Sequence, residues 1–329
     1  MFLGYIHYFR ALAIFFIVAG HSIDAFIWSN EDIEKILRIL ISNGSVLFVF
    51  IAGYLFQHLS HKFDKSKYYR SKLKNVIVPY LLISIPAILI FVTIIERESV
   101  WEGFYDYSIL QQIGLFYLTG KHLAPLWFIP MISIFYLIAP ILVKADKGKI
   151  IYFFLPIFII VSCYFGRGLP HESFVHFFSI YLLGMFCSHF KTKINPLISH
   201  NLFILIAVPL IVYLAYYEFH YKDGTMTYVN YLQKLMMSVF FLGLFFKFNS
   251  YLNSKVIGTI ADTSFGVFFI HSYFLTAGKL LFFNVYEKNA SGDLVAYFIV
   301  ATTTLFACSL IILLIKKIFG KYSKLIVGS

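Results

Sequence analysis

Four ionisable residues share one face of the first apolar segment of the chain. They are His7, Arg10, His21 and Asp24, in the stretch YIHYFRALAIFFIVAGHSIDAF at residues 5–26. At about 100° per residue, Arg10 and His21 lie within about 20° of each other around a helix and roughly 16 Å apart along its axis. Ionisable groups in a membrane-spanning helix are costly and usually face a protein interior or a watery cavity, so these four residues are candidates for function.

His21 is the candidate general base of this face. A neutral imidazole can take a proton from an alcohol near neutral pH. Asp24 follows three residues later, and this helical spacing would let its carboxylate bind and orient the ring, as in catalytic triads. The alternatives are a hydrogen-bonded core histidine, a solvated Asp24, and an Arg10 that only extends to the membrane surface.

A second cluster is the basic segment YYRSKLKNVIVPY at residues 68–80. Arg70, Lys72 and Lys74 fall within one or two helical turns, and such cations suit a polyphosphate ligand. The excess of Lys and Arg in cytoplasmic loops of membrane proteins would place charges here by itself, and it remains the alternative.

A third cluster lies in GKHLAPLWFIPMISIFYLIAP, at residues 120–140. His122, Trp127 and Tyr136 combine a titratable ring, an indole and a phenol, although Trp127 could equally be an interfacial anchor. The three prolines of this stretch predict a broken or kinked helix, which at membrane depth usually lines a cavity.

A fourth candidate pair is Ser264 and His271, which are seven residues apart and share a helix face. His271 would supply a second polar wall of a cavity, or else a structural hydrogen bond between helices.

The composition predicts an all-α, polytopic membrane bundle. Of the 329 residues, 60% are hydrophobic and only 13% are charged, and the mean hydropathy is +0.80, far from that of a soluble protein. No stretch between hydrophobic segments is long enough for an appended soluble domain, so we expect one integral membrane domain over residues 1–329. We predict about ten transmembrane helices, at residues 4–27, 45–57, 76–95, 126–143, 150–165, 174–190, 202–217, 229–246, 256–275 and 294–315.

The basic residues predict the orientation of the bundle. Most of the 27 Lys and Arg residues fall after the second, fourth, sixth, eighth and tenth segments, and the opposite loops hold most of the acids. Both termini should therefore be cytoplasmic. The net charge of +11 then reports topology, and no nucleic-acid module, phosphate loop or zinc motif is seen. Three cysteines in apolar segments predict no disulfide framework or metal site.

These motifs, in this order, resemble the acyltransferase 3 family of integral membrane acyltransferases. FRALAIFFIVAGHS is similar to the family signature of an arginine, ten residues and a histidine, which Arg10 and His21 match. GSVLFVFIAGYLF resembles the second helix of the family, with Ala52 in place of its usual serine before Gly53. SKLKNVIVPY resembles the basic loop, with Lys72 and Asn75 where two arginines are common.

Two later segments extend the resemblance over nearly the whole chain. LWFIPMISIFYLIAP looks like the family's Trp-Phe block with its later Tyr136 and Pro140. TSFGVFFIHSYF is similar to a late family helix that contains a histidine, here His271.

The resemblance implies transfer of an acyl group, usually acetyl, from cytoplasmic acyl-CoA to a hydroxyl of a cell-surface or envelope polysaccharide. Acetyl-CoA would be the co-substrate, no metal is expected, and the partners would be the glycan acceptor, the bilayer of the plasma (inner) membrane and glycan-synthesis proteins. The implied donor contacts are Arg10, Arg70, Lys72 and Lys74. His21 would then deprotonate the acceptor hydroxyl, with Asp24 as the residue that the helical spacing places beside its ring, or it would help to form an acyl-enzyme intermediate on Tyr136.

The substrate path would be lined by His122, Trp127, Ser264 and His271. The competing interpretation is a transporter or flippase of a lipid-linked sugar that uses the same buried polar groups. A non-catalytic partner in a glycan-synthesis complex is a third.

Overall fold

The computed structural model describes residues 3–222 and 227–329, and these residues confirm the all-α class. Two short strands, β1 (Ile27–Trp28) and β2 (Ser291–Gly292), pair in parallel. The helices are α1 (Gly4–Ser22), α2 (Glu31–Ile41), α3 (Ser45–Leu59), α4 (Lys65–Lys72), α5 (Val78–Thr93), α6 (Ile109–Thr119), α7 (Phe128–Leu137), α8 (Ala139–Gly148), α9 (Leu155–Tyr164), α10 (Pro170–His189), α11 (Lys191–Ile198), α12 (Asn201–Tyr221), α13 (Tyr228–Lys247), α14 (Lys255–Tyr286), α15 (Leu294–Phe319) and α16 (Ser323–Val327).

Seven helical segments of the described chain are long and apolar enough to cross a membrane, and two bent helix pairs raise the number to nine. The pairs are α7 with α8, bent by 58°, and α10 with α11, bent by 101°. The predicted count of ten is not confirmed, because the fifth predicted segment contains only α9. Its ten residues are about half of the roughly 20 that a span needs. The predicted cytoplasmic location of both termini stays a prediction.

The bend between α7 and α8 follows from the prolines of this stretch. Pro140 stands in the first turn of α8, where it has no N–H to offer to the carbonyl four residues earlier. The chain therefore breaks at Ile138, as the sequence predicts.

Helix α1 lies in the middle of the bundle and packs against α3, α13, α14 and α15. Ten of its 19 residues are buried, and Phe9, Ile14 and Val18 have no exposed surface. The ring of Phe9 stacks on that of Phe245 with centroids 5.7 Å apart. A helix with apolar residues all round is stable when it is enclosed, and this enclosure fixes the polar side chains that α1 carries.

Helices α3 and α10 approach each other closely through two glycines. A Cβ on Gly53 would lie 2.0 Å from the carbonyl oxygen of Tyr181, and one on Gly184 would lie 2.1 Å from that of Phe50. Small residues at such crossings let helix backbones meet, which is a main source of helix association in membranes. This contact holds α3, one wall of the larger cavity described below, against the bundle.

We expect Gly53→Ala to lower the stability of the protein by about 1 to 3 kcal/mol, because the added methyl group has no space and the helices must separate. The midpoint of thermal unfolding in detergent measures this effect. Gly278→Ala in α14 is the matched control, since a Cβ there meets nothing within 4 Å. An equal response of the two variants would contradict the close contact.

Candidate functional site

Arg10 is anchored at one end of α1 by a serine of α14. Its guanidinium Nη2 donates a hydrogen bond to Ser264 Oγ at 2.9 Å, and Ser264 Oγ donates in turn to the carbonyl of Ala261 at 2.8 Å. Ser264 is fully buried. The structure therefore gives Ser264 a contact that positions Arg10, and its predicted place on the substrate path stays a prediction.

Arg10 lines a cavity of about 650 Å³, which we term the Arg10 cavity. This volume is within the range of roughly 300–1,000 Å³ that is typical of small-molecule sites. Its walls come from α1, α3, α4, α7 and α10 and from the π-helical turn Leu73–Ile77 between α4 and α5. The cations at its surface are Arg10, Lys62, Lys67 and Lys72, and its one described acid is Asp64.

Only one of the three predicted loop cations lines this cavity. Lys72 does, whereas Arg70 and Lys74 are exposed and lie outside its walls. The π-helical turn that begins at Leu73 interrupts the α-helical period before Lys74, so α-helical spacing does not give the direction of that side chain. Lys62 and Lys67 are cavity cations that the sequence did not single out.

Tyr136 lies in the wall of the same cavity, next to Lys72. The Lys72 ammonium is 4.6 Å from the centroid of the Tyr136 ring and 5.2 Å from that of Tyr68, within the range of cation–π contact. Tyr136 and His21 line different cavities. The predicted cooperation of these two residues on an acyl-enzyme is therefore not supported by the geometry.

His21 lines a second cavity of about 310 Å³, the His21 cavity. The ring centroid of His21 is 5.3 Å from that of His271 on α14. His271 is fully buried, and its Nδ1 donates to the carbonyl of Val267 at 3.0 Å, which leaves Nε2 unprotonated when the ring is neutral. Nε2 has no hydrogen-bond partner among the described residues. His271 thus contacts the His21 ring, but it does not itself line the His21 cavity, and its predicted role as a polar wall of the substrate path stays a prediction.

Asp24 lines the His21 cavity, but it does not orient the imidazole. Helix α1 ends at Ser22, and Asp24 lies in a 3-10 turn, where the spacing differs from that of an α-helix. Its exposed carboxylate accepts a hydrogen bond from Arg38 at 2.8 Å. Within residues 3–222 and 227–329 it makes no hydrogen bond to His21. The predicted Asp24–His21 pair is wrong, because an arginine fourteen residues later provides a stronger partner.

Trp127 forms part of the His21 cavity, as predicted for the substrate path, and it is covered by an arginine that the sequence did not single out. The guanidinium of Arg167 lies 4.5 Å from the centroid of the Trp127 ring, and the ring of Phe177 stacks on Trp127 with centroids 5.7 Å apart. One signal in the sequence could have found Arg167. It is an arginine in a predicted outer loop, on the side where basic residues are scarce.

His122 lines neither the Arg10 cavity nor the His21 cavity, so the geometry does not support its predicted place on the substrate path. Gly120 adopts φ = 70°, and a Cβ there would lie 2.5 Å from the carbonyl of Leu126, so the tight turn requires glycine. This turn directs His122 into the core, where Nδ1 donates to the carbonyl of Phe116 at 3.1 Å and the ring contacts Tyr80. His122 is therefore a structural residue.

Phe128 is the boundary between the two cavities, because its side chain lines both. It packs on Phe268 of α14 with ring centroids 5.4 Å apart. On that helix, Phe265 faces the Arg10 cavity and Phe268 faces the His21 cavity. Helix α1 thus places a cation on one side of an aromatic partition and a titratable ring on the other.

A family model described as an acyltransferase domain matches residues 3–314, nearly the whole chain. The chain belongs to the acyltransferase 3 family. With its seven to nine candidate spans, this acyltransferase is a multi-pass membrane protein. No curated protein and no solved structure matches the chain.

The buried position of His122 in the acyltransferase predicts a pH dependence of stability. Burial is the largest cause that lowers its pKa, to about 4, and the carbonyl of Phe116 opposes that shift. The unfolded chain then binds the proton first, so the free energy of unfolding falls as the pH falls from about 6.5 to about 4, by up to about 1.4 kcal/mol per pH unit.

We expect His122→Asn, which keeps a donor for the Phe116 carbonyl, to reduce this acid sensitivity. The measurement is the thermal midpoint of both proteins between pH 7 and pH 4.5, with the difference in slope as the result. Identical slopes would contradict the assignment.

Proposed function

We propose that this acyltransferase moves an acyl group, with acetyl as the favoured case, from cytoplasmic acyl-CoA to a hydroxyl of a cell-surface or envelope polysaccharide at the plasma membrane. One observation carries the proposal. Arg10 and His21 lie on the same enclosed helix, yet they line two cavities separated by Phe128. Such an arrangement suits a donor and an acceptor that approach from opposite ends.

The chemistry of the Arg10 cavity supports acyl-CoA as the donor. CoA carries several phosphates at one end and a thioester at the other, joined by an extended pantetheine arm. Arg10 and Lys72 offer fixed positive charges for the phosphates, since Ser264 holds the first and two tyrosine rings hold the second. The arm would then pass along α1 toward Phe128 and bring the thioester carbonyl to His21.

His21 would act as the general base for the acceptor. The acceptor hydroxyl oxygen attacks the thioester carbonyl, and His21 Nε2 or Nδ1 takes the hydroxyl proton. The tetrahedral intermediate then expels the CoA thiolate, which receives that proton, and the acyl group remains on the acceptor as an ester. His271 supports the position of the His21 ring through their contact at 5.3 Å.

The test of the function is the ester content of the surface polysaccharide. Cells with the intact gene, with a deletion, and with His21→Ala at matched protein level are compared. Loss of a general base typically lowers a rate by about 10² to 10⁴, so we expect one O-acyl ester to disappear in both mutants. His220→Ala, at an exposed position on α12, is the control and should retain the ester.

Two outcomes would overturn the proposal. If the ester persists in the deletion while the glycan fails to reach the surface, the protein is a transporter. If the deletion loses the ester but His21→Ala keeps it, the protein supports acylation without performing it through His21.

The cations that line the Arg10 cavity are the ones that we expect to bind the donor. Arg10→Gln and Lys72→Gln should each raise the KM for acyl-CoA by about 10-fold or more, because each removes a charge-assisted contact with phosphate. Arg70→Gln, on the outer face of α4, should leave this KM unchanged. Initial rates of the purified protein against acyl-CoA concentration give the values. A larger effect of Arg70→Gln than of Lys72→Gln would contradict this placement of the donor.

A further inference from the structure

The His21 cavity contains a positive charge that no described acid neutralises. Arg38 in the cavity wall is paired with two carboxylates, Asp24 at 2.8 Å and Glu34 at 2.7 Å. Arg167, in contrast, forms no ion pair with any residue in 3–222 or 227–329. Among the described residues, its one hydrogen bond to a side chain goes to the neutral amide oxygen of Asn43, at 2.5 Å.

The guanidinium of Arg167 is also held in a fixed position. Trp127 covers one face, and Asn43 is itself tied to α13, because its Nδ2 donates to Asn230 Oδ1 at 2.7 Å. Asn230 then donates to the carbonyl of Ile39 at 3.1 Å. Asn43 has φ = 64°, a conformation that asparagine tolerates better than most residues. The position of the Arg167 guanidinium is therefore fixed by the Trp127 ring, by Asn43 and, through Asn43, by α13.

The guanidinium of Arg167 stays protonated, but not all of its N–H groups have a hydrogen-bond partner among the described residues. Burial lowers its pKa to about 10, which still leaves the group protonated at neutral pH. Its Nε is buried and has no hydrogen-bond partner in the described part of the chain. A purely structural tie between loops would need only the bond to Asn43, and a buried cation without a counter-charge is costly. A buried guanidinium with no carboxylate partner and an unbonded Nε is suited to binding an anionic ligand.

We propose that Arg167 binds an anionic group of the acceptor, a carboxylate or a phosphate, and thereby selects acidic sugars for acylation at His21. This inference rests on the proposed function. A guanidinium presents its donors as a planar fork that matches both anions, and Trp127 offers a flat apolar surface for the sugar ring beside it. The Asp24 carboxylate in the same cavity does not oppose the anion strongly, because Arg38 neutralises it.

The first test measures binding and needs no turnover. Trp127 is made the only tryptophan by Trp28→Phe and Trp101→Phe, and its emission is titrated in a non-ionic detergent. The probes are methyl glucoside, methyl glucuronide and methyl glucoside 6-phosphate, which differ only at the sixth carbon. We expect a saturable change with one or both anionic probes, weakened by salt, and at least 10-fold weaker in Arg167→Gln. An equal response to the neutral glucoside, or an unchanged response in Arg167→Gln, would overturn the proposal.

The second test measures acyl transfer to the same three probes. Arg167→Gln should lower kcat/KM for the anionic acceptors by about 10- to 100-fold and leave the neutral acceptor nearly unaffected. Arg97→Gln is the matched control, since that guanidinium also lies over an aromatic ring, Phe91 at 5.2 Å, but outside the His21 cavity. The preferred anionic probe distinguishes a uronic acid from a sugar phosphate.

The outcomes separate this inference from the proposed function. An equal loss for all three acceptors in Arg167→Gln would mean that the charge serves the reaction in general, and selection of acidic sugars would be rejected. If the protein acylates none of the probes, the proposed function loses support. The binding titration still decides whether Arg167 recognises an anion.

Discussion

The structure depends on the cost of placing ionisable side chains inside an apolar helical bundle. Arg10 and His21 stand on a helix that packs against α3, α13, α14 and α15, and both side chains line cavities inside the bundle, where ionisable groups of membrane proteins usually lie. One cavity lies beside each of these two side chains, and α14 contributes a contact to each of them. These contacts and cavities reduce the cost of burying the two ionisable groups. Ser264 contacts Arg10 and His271 contacts His21, seven residues apart on one face of that helix.

The boundary between the two cavities is formed by α14 and by α7, the first half of the bent pair α7 and α8. Phe128 stands at the first position of α7, directly after a turn that the sequence fills with glycine and proline. Its contact with Phe268 closes the space between the Arg10 and His21 cavities with two apolar rings. An aromatic boundary of this kind keeps water and ions apart while side-chain rotation can admit a narrow, flexible chain. Acyl transfer would use such a boundary as the meeting point of donor and acceptor.

Much of this arrangement can be read from local sequence. The eleven-residue spacing of Arg10 and His21 fixes their shared face, hydropathy gives the helical class, and Pro140 marks the bend between α7 and α8. These features depend on the helical period and on the chemistry of single residues. Trp127 lies in the His21 cavity directly before a helix that the prolines of this stretch break.

The remaining features depend on contacts between distant segments, which no local pattern reveals. Asp24 pairs with Arg38 because α2 folds back onto the end of α1, and His122 enters the core because Gly120 reverses the chain. Composition groups Arg70 and Lys74 with Lys72, although these two side chains lie outside the Arg10 cavity. Arg167 is recognised only when Asn43, 124 positions earlier, is brought beside it.

In the proposed function, donor and acceptor enter from opposite sides of the membrane. The most direct measurement uses sealed vesicles that contain the purified protein, with radiolabelled acetyl-CoA and a glycoside acceptor placed either on opposite sides or on the same side. Retention of an enclosed dye establishes that the vesicles are tight. The two-cavity account predicts labelled acceptor only when the substrates are separated, whichever way the protein has inserted. Equal labelling with both substrates on one side would contradict it.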